Sequence, residues 1–201
     1  MLMRAGEHLG AESDVAEHQL TEDLMVAALL SRRLRDAVTL RQRLGLPSAE
    51  STAYRLVNSE GDGLPGLVID IFGSVAAVQF TTLGMKRNEA AVFAALQQLP
   101  NPPTTIVETA AGSFAQVEGF ASAGRIVVGT EEQIAQGALC KEGGVQLSVD
   151  VRGGQKTGMF LDQRDNRRLL GSFCKGARML DVYSYAGGFA LQALRGGAAS
   201  A

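Results

Sequence analysis

The sequence contains no tryptophan, only two cysteines and only 5% aromatic residues among its 201 residues. Cys140 and Cys174 are far apart and form neither a Cys-x-x-Cys nor a Cys/His pattern, which argues against a disulfide scaffold or a metal site. No uncharged apolar run reaches the roughly 18 residues of a membrane-spanning helix. The N-terminus also lacks the apolar core of a signal peptide. We therefore expect a cytoplasmic protein, with an organelle matrix as the alternative location.

The sequence also lacks an excess of charge of either sign, with 19 Lys and Arg against 21 Asp and Glu and a formal net charge of -2. The charges are nevertheless segregated, because six acidic residues and a single arginine precede Leu24. Two later regions are rich in basic residues: Arg32, Arg33, Arg35, Arg41 and Arg43, and then Arg152, Lys156, Arg164, Arg167, Arg168, Lys175 and Arg178. Such clusters are either solvated faces or surfaces for RNA phosphates.

Residues 21–151 predict a small α+β domain that follows an acidic, flexible arm over residues 1–20. Thr21 is suited to begin a long amphipathic helix, which Gly45 and Pro47 would end. Alternating or β-branched runs predict strands at 54–58, 67–72, 74–80, 104–109 and 125–128, and a hairpin at 138–141 and 145–151. The composition of residues 88–99 predicts a second helix.

From residue 152 the pattern changes to that of an α/β nucleotide-binding unit. Asp162 is placed to cap a helix that runs to Phe173, and residues 179–183 predict a short buried strand. A glycine turn at 184–188 and a helix at 189–194 follow. Strand, glycine turn and helix are typical of the start of a Rossmann-like domain. Residues 184–201 have room for one turn and one helix, so we expect this domain, residues 152–201, to be truncated.

Two polar stretches carry the candidate chemistry, residues 154–168 and 180–189. Taken separately, the first is consistent with an ordinary capped helix, and the glycine pair of the second with a structural turn or a phosphate-binding loop. The second stretch has neither the Gly-Lys-Ser/Thr of a Walker loop nor the Gly-x-Gly-x-x-Gly spacing of a dinucleotide site. The latter absence disfavours a dinucleotide-dependent oxidoreductase.

Taken together, the motifs KTGMFLDQRDNR (156–167) and LDVYSYAGGFA (180–190), with YRLVNSEGDGLPGLVID (54–70) upstream, resemble the RlmI-type class I S-adenosylmethionine-dependent RNA methyltransferases. The resemblance extends from Leu24 to Leu194. It implies an α+β central domain, followed by the first strand-loop-helix unit of an incomplete Rossmann-like methyltransferase domain. It also implies S-adenosylmethionine as the cofactor and RNA, in particular ribosomal RNA methylated at cytosine C5, as the partner.

The resemblance also implies which residues contact the cofactor. One wall of its pocket would be formed by Lys156, Thr157, Gly158, Phe160 and Gln163. The floor beneath the methionine part would be formed by Asp181, Tyr183, Ser184, Tyr185, Gly187 and Gly188. Backbone amides beside glycine can approach a carboxylate, and an aromatic face stabilises a sulfonium, which makes these residue types suitable.

The sequence departs from the family pattern in several motifs. The family's PUA-like RNA-binding domain, ribose-binding acidic residue, Asp-Pro-Pro motif and cysteine nucleophile are not found in it. Cys174 lies at a predicted helix C-terminus, where the helix dipole opposes thiolate formation, and Cys140 lies in a predicted strand. We therefore expect no catalytic residue in this chain and no methyl transfer by it alone. The alternative is a non-catalytic RNA-binding or assembly module that pairs with a separate catalytic half or self-associates through its incomplete sheet.

Overall fold

The computed structural model describes the backbone of residues 7–201 and the side chains of residues 18–201 except residue 137. Its helices are α1 (Glu7–Arg43), α2 (Leu83–Arg87), α3 (Glu89–Gln97), α4 (Ser113–Glu118), α5 (Glu131–Gly137), α6 (Arg164–Phe173) and α7 (Gly188–Arg195). Its strands are β1 (Ala53–Asn58), β2 (Leu67–Phe72), β3 (Val75–Phe80), β4 (Thr105–Glu108), β5 (Arg125–Val128), β6 (Leu139–Glu142) and β7 (Val145–Ser148). Within the described range, no helix is both long enough and apolar enough to cross a bilayer.

The main sheet contains five strands in the order β1-β2-β3-β4-β5. All neighbouring pairs are antiparallel except β3 and β4, which are parallel. Val75 and Ala77 of the central strand β3 face one apolar core, and Ala76 and Val78 face the other. The five strands predicted at 54–58, 67–72, 74–80, 104–109 and 125–128 are confirmed to within one residue at each end, since glycine-rich turns separate apolar runs of suitable length. The second strand of the predicted hairpin ends at Ser148 rather than at residue 151.

Each face of this sheet is covered by a different part of the chain. Helices α1 and α3 cover one face, with Leu34 and Leu96 fully buried there. The hairpin β6–β7 and α5 cover the other face, where Leu147 packs in the same core as Met159. Because Met159 belongs to the 156–167 motif, that motif is anchored on the main sheet.

Helix α1 begins earlier than the sequence indicates and ends where it predicts. It starts at Glu7 rather than at Thr21, because the intervening residues contain no proline and are mainly good helix formers. Residues 1–6 of the predicted arm lie outside the described residues. The helix ends at Arg43, and Gly45 follows with φ +75°.

Arg41 of the predicted basic helix is part of the fold and not of an exposed surface. It is buried, forms an ion pair with Asp62 (Nη2 to Oδ2, 2.8 Å), and donates from Nε to the Arg55 carbonyl at 2.8 Å. The interpretation of all five α1 arginines as one solvent-facing cluster is therefore wrong for Arg41.

The C-terminal part contains the two predicted helices as α6 and α7, packed closely against each other. A Cβ at Gly171 would lie 2.6 Å from the Gln192 carbonyl oxygen, so the helices cross at a glycine. Asp162 is not the N-cap of α6, as the sequence suggested. It lies in a short 3₁₀ helix, Leu161–Gln163, and accepts a hydrogen bond from Lys156 instead.

The prediction of a buried strand at 179–183 is wrong. Leu180 is 84% exposed and Tyr183 is 99% exposed, with a φ of +62° at Tyr183. An extended segment becomes a strand only where its backbone groups find a neighbouring strand. Among the described residues, the β-type pairing of this part of the chain is confined to a parallel bridge between Arg178 and Ser200. That bridge also shows that the chain returns beside Arg178 after α7, which the sequence interpretation did not expect.

Candidate functional site

A cavity of about 330 Å³ lies between the segment that precedes α6 and the loop that precedes α7. It brings together seven of the eleven predicted cofactor residues: Phe160, Gln163, Asp181, Tyr183, Ser184, Tyr185 and Gly188. It is also lined by residues that were not among the predicted cofactor contacts, namely Leu147, Met159, Arg167, Val182, Ala186 and Phe189. Two motifs that are separate in sequence thus form one concave site.

The remaining predicted residues, Lys156, Thr157, Gly158 and Gly187, lie next to this cavity but do not line it. Lys156 Nζ is 3.0 Å from Asp162 Oδ1 and 4.4 Å from the Phe160 ring centroid. The hydrogen bond from Lys156 is the main reason that the pKa of Asp162 lies below its ordinary value. Lys156 thus contacts the cavity residue Phe160 without lining the cavity itself.

Tyr185 connects the two walls of the cavity. Its hydroxyl accepts a hydrogen bond from the Gln155 amide and donates one to the Gly158 carbonyl, each at 3.0 Å. Its ring meets the Phe160 ring edge-on, with centroids 5.6 Å apart. Since one contact fixes the hydroxyl and the other fixes the ring, the position of Tyr185 is set by the 155–160 segment.

The loop that leads into α7 has an unusual backbone. Tyr183 and Tyr185 have φ of +62° and +51°, a region that non-glycine residues rarely adopt and that occurs at binding sites more often than elsewhere. Gly187 has φ +69°, which a glycine adopts without strain. A Cβ at Gly188 would lie 2.9 Å from Arg167 Cδ, so only glycine allows this approach of α7 to α6.

The N-terminus of α7 lies at the cavity, because Gly188 and Phe189 line it. Asp181 Oδ2 accepts the Ala190 amide at 3.2 Å and so satisfies one first-turn donor. The first amides of a helix have no partner within the helix and favour an anionic group. This end of the cavity is therefore suited to a carboxylate.

Arg167 is a site residue that sequence reasoning missed. It is buried and makes a two-point contact with Glu142, with Nε to Oε1 at 2.5 Å and Nη2 to Oε2 at 2.7 Å. Nη2 also donates to the Phe160 carbonyl at 2.8 Å. Arg167 ends the 156–167 motif, but its partner Glu142 is 25 positions away, so the sequence contained no indication of its role in the site.

Neither cysteine lines the cavity. Cys140 is buried in the core beneath the hairpin, and burial raises the pKa of its thiol to about 12. Cys174 is buried at the end of α6, where its thiol is 3.2 Å from the Leu170 carbonyl. A thiol that keeps its proton up to such a pH is a poor nucleophile, so Cys140 is not suited to covalent catalysis.

A second cleft, of about 490 Å³, lies on the other side of the 156–164 segment, between it and the C-terminal end of α1. It is lined by Arg55, Lys156 and Arg164, and a neighbouring depression adds Arg168. Arg55 is paired with Asp70 and Lys156 with Asp162. Arg164 and Arg168 form no ion pair with a carboxylate among the described side chains, although Glu50, Glu142 and Asp165 also line this depression.

Comparison with known proteins finds similar sequences and structures. A family model described as S-adenosylmethionine-dependent methyltransferase matches residues 121–201. Ribosomal RNA large subunit methyltransferase I of Tolumonas auensis is 37% identical over 167 residues, which cover 83% of this chain and 41% of that protein. The protein of the same name from Klebsiella pneumoniae is 39% identical over 176 residues, which cover 85% of this chain and 42% of that protein.

Solved structures agree with the sequence matches. A Streptococcus mutans protein described as a SAM-dependent methyltransferase superposes with a TM-score of 0.71 at 25% identity, over 86% of this chain and 43% of that one. A methyltransferase structure complexed with S-adenosylhomocysteine (SAH) matches with the same values. The chain thus spans about two fifths of the length of these relatives. The resemblance inferred from the sequence is confirmed: residues 121–201 match the S-adenosylmethionine-dependent methyltransferase family model, and most of the chain is similar to part of these methyltransferases.

Proposed function

We propose that this chain binds S-adenosylmethionine in the 330 Å³ cavity and serves the methylation of ribosomal RNA. The observation that carries the proposal is the meeting of the 156–167 and 180–190 motifs at one cavity, in a fold whose relatives include a structure with bound SAH. The volume is at the lower end of the range for small-molecule sites, roughly 300–1,000 Å³. It suits a part of the cofactor, which we take to be the methionine part.

The residues present fit that group chemically. The first-turn amides of α7 at Gly188 and Phe189 would donate hydrogen bonds to the carboxylate, and the rings of Phe160 and Tyr185 would face a sulfonium. The Arg167 guanidinium would repel a sulfonium if it were unpaired, but Glu142 neutralises it. When bound, S-adenosylmethionine supplies the methyl group. The residues of this chain bind and orient that cofactor.

Titration of the purified chain with SAH in a calorimeter tests the proposal. Gly188→Ala places a Cβ against Arg167, so we expect its affinity for SAH to fall about tenfold or more, a change of ~1.4 kcal/mol or greater. Gly84→Ala is the matched control, because a Cβ there meets nothing within 4 Å. No binding by the unaltered chain, or equal affinity of all three proteins, would contradict the proposal.

For the acceptor, we propose cytosine C5 of ribosomal RNA, as the resemblance implies. Carbon C5 of cytosine becomes nucleophilic only after a thiolate adds at C6, which is covalent catalysis. Cys140 and Cys174 are buried and away from the cavity, so we infer that neither supplies this thiolate and that the chain by itself transfers no methyl group. Incorporation of labelled methyl groups into ribosomal RNA by the purified chain would refute this inference.

RNA binding without catalysis is the second candidate function, and it is favoured by Arg164 and Arg168, which form no ion pair among the described side chains. Arg164 also donates a hydrogen bond to the Ala53 carbonyl, which fixes it beside the cleft. We expect the affinity for a single-stranded RNA oligonucleotide to fall with salt, with a log–log slope of roughly -1 to -2, or about -0.7 per phosphate contacted. Arg168→Gln should make the slope shallower.

The matched control for this RNA measurement is Arg152→Gln. Arg152 is also exposed but is paired with Glu131, so we expect its loss to leave the salt dependence unchanged. Fluorescence anisotropy at several salt concentrations gives the slopes. A salt-independent affinity, or the same slope for Arg168→Gln and the unaltered chain, would rule out this cleft as a phosphate-binding surface.

A further inference from the structure

The 54–70 motif supports the resemblance, yet none of its residues lines the cofactor cavity. Two of its residues, Arg55 on β1 and Asp70 on β2, face each other across the antiparallel pair. Arg55 Nε is 2.8 Å from Asp70 Oδ1, and Arg55 Nη2 is 2.9 Å from Asp70 Oδ2. Asp70 has no exposed surface. A carboxylate buried in this way is costly unless it is paired, and Arg55 supplies the pairing.

Asp70 has a further contact that leaves the sheet. The hydroxyl of Thr157, 87 positions later in the chain, donates a hydrogen bond to Asp70 Oδ2. Thr157 is itself only 1% exposed. Hydrogen bonds to a buried charged acceptor are stronger than those between neutral groups. The central sheet therefore holds the 155–158 turn at a defined point.

The turn held by Thr157 has positive φ on both sides of it, which is unfavourable for Lys156 and which glycine allows at Gly158. Lys156 has φ +56° and Gly158 has φ +126° on either side of Thr157. The Gly158 carbonyl accepts the hydrogen bond from the Tyr185 hydroxyl, and Tyr185 lines the cavity. A continuous series of contacts thus runs from Asp70 through Thr157 and Gly158 to Tyr185.

We propose that Asp70 is a positioning residue for the cofactor cavity. It fixes the 155–158 turn through the Thr157 hydroxyl, and the turn in turn fixes the hydroxyl of Tyr185. The inference rests on the proposed function, because it assigns the Arg55–Asp70 pair of the central sheet to the support of the cofactor site. It gives the 54–70 motif a role in cofactor binding without contact with the cofactor.

Thr157→Val tests the proposal selectively, because it removes the hydroxyl, keeps the side-chain shape, and leaves the Arg55–Asp70 pair in place. We expect the affinity for SAH to fall about tenfold, the factor that corresponds to one hydrogen bond worth ~1.4 kcal/mol. Thr157→Ser keeps a hydroxyl and should bind SAH within about threefold of the unaltered chain, where threefold is ~0.65 kcal/mol. Thr105→Val is the matched control. Thr105 is also a buried threonine, lies in the main sheet that contains Asp70, and does not line the cavity.

Hydrogen exchange of the chain without SAH provides the readout that does not depend on cofactor binding. We expect amides 155–158 to exchange faster in Thr157→Val than in the unaltered chain and in Thr157→Ser, with the amides of β1–β3 unchanged. If the unaltered chain does not bind SAH, the proposed function fails, and the exchange experiment alone decides whether Asp70 holds the turn. Unchanged exchange at 155–158, or an increase spread equally over the whole chain, overturns the proposal.

A double-mutant cycle with Tyr185→Phe tests the path from the turn to the cavity. If Thr157 acts through Gly158 and Tyr185, the losses of SAH affinity caused by Thr157→Val and Tyr185→Phe will not add. Fully additive losses would mean that Thr157 affects binding by another route, and would overturn the assignment. An SAH affinity of Thr157→Val equal to that of the unaltered chain would overturn it as well.

Discussion

Removal of the Arg167 guanidinium should destabilise the chain strongly. The side chains of Arg167 and Glu142 are only 6% and 1% exposed. Arg167→Met removes both hydrogen bonds to Glu142 and the bond to the Phe160 carbonyl, and leaves a buried carboxylate without a counter-charge. Breaking a buried pair from one side costs about 3–5 kcal/mol. For a chain of this size that corresponds to a fall in the unfolding midpoint of roughly 6–20 °C.

The double variant Arg167→Met/Glu142→Met distinguishes two contributions to the free energy of unfolding: the cost of leaving the Glu142 carboxylate unpaired, and the net stabilisation by the ion pair. Replacement of a whole buried ion pair by apolar side chains of similar volume is often close to neutral. We therefore expect the double variant to recover most of the stability that the single variant loses. Urea and thermal unfolding measure the stability of the single and the double variant. Arg152→Met is the control, because the exposed pair of Arg152 with Glu131 contributes at most about 1 kcal/mol.

Two results would refute this reasoning. A loss below about 1 kcal/mol in Arg167→Met would mean that Glu142 does not need its partner, contrary to the cost expected for a buried unpaired charge. A double variant at least as unstable as the single one would mean that the pair itself, and not the stranded carboxylate, carries the stability. The first result would also remove the argument that Glu142 neutralises Arg167 at the cavity.

Three further predictions concern stability. Thr105→Val should raise the free energy of unfolding by about 1 kcal/mol in urea denaturation, since Thr105 Oγ1 is buried and finds no partner among the described residues; a loss of stability would contradict this. Burial raises the pKa of Cys140 from 9.0 to about 12, so the native state keeps this proton over a range where the unfolded chain loses it. Stability should therefore fall as pH rises above about 9, and Cys140→Ala should show a flatter dependence if the thiol is the cause. Gly171→Ala should cost about 1–3 kcal/mol in thermal unfolding, because its Cβ would meet the Gln192 carbonyl at 2.6 Å; an unchanged midpoint would show that α6 and α7 can move apart.

Most secondary structure could be predicted from the sequence because its causes are local. The strands β1 and β2 are apolar runs separated by the turn at 59–66, and the turn needs glycine at the positive φ of Gly63 and Gly66. The end of α1 was predicted for the same kind of reason. The start of α1 was not predicted correctly. Residues 7–20 are mainly good helix formers but have no clear apolar face, so the sequence did not show that the helix begins before Thr21.

The strand expected at 179–183 shows where local reasoning stops. Its composition is that of a strand, but a strand also requires a neighbour, and composition carries no information about one. In the structure the pairing occurs at Arg178 and Ser200, and Leu180 and Val182 remain exposed. Whether residues 179–183 form a strand thus depends on whether a neighbouring strand pairs with them.

By itself, the sequence determined the order of elements, the two motifs of the cofactor wall and loop, and the methyltransferase resemblance. Only the tertiary structure brought seven of the predicted residues to one cavity, added Arg167 through its pairing with Glu142, and placed Thr157 against Asp70. The physical reason is that turns, caps and apolar periods depend on neighbours within a few residues. Buried ion pairs and hydrogen bonds join positions 25 and 87 residues apart, which only the packed chain brings into contact.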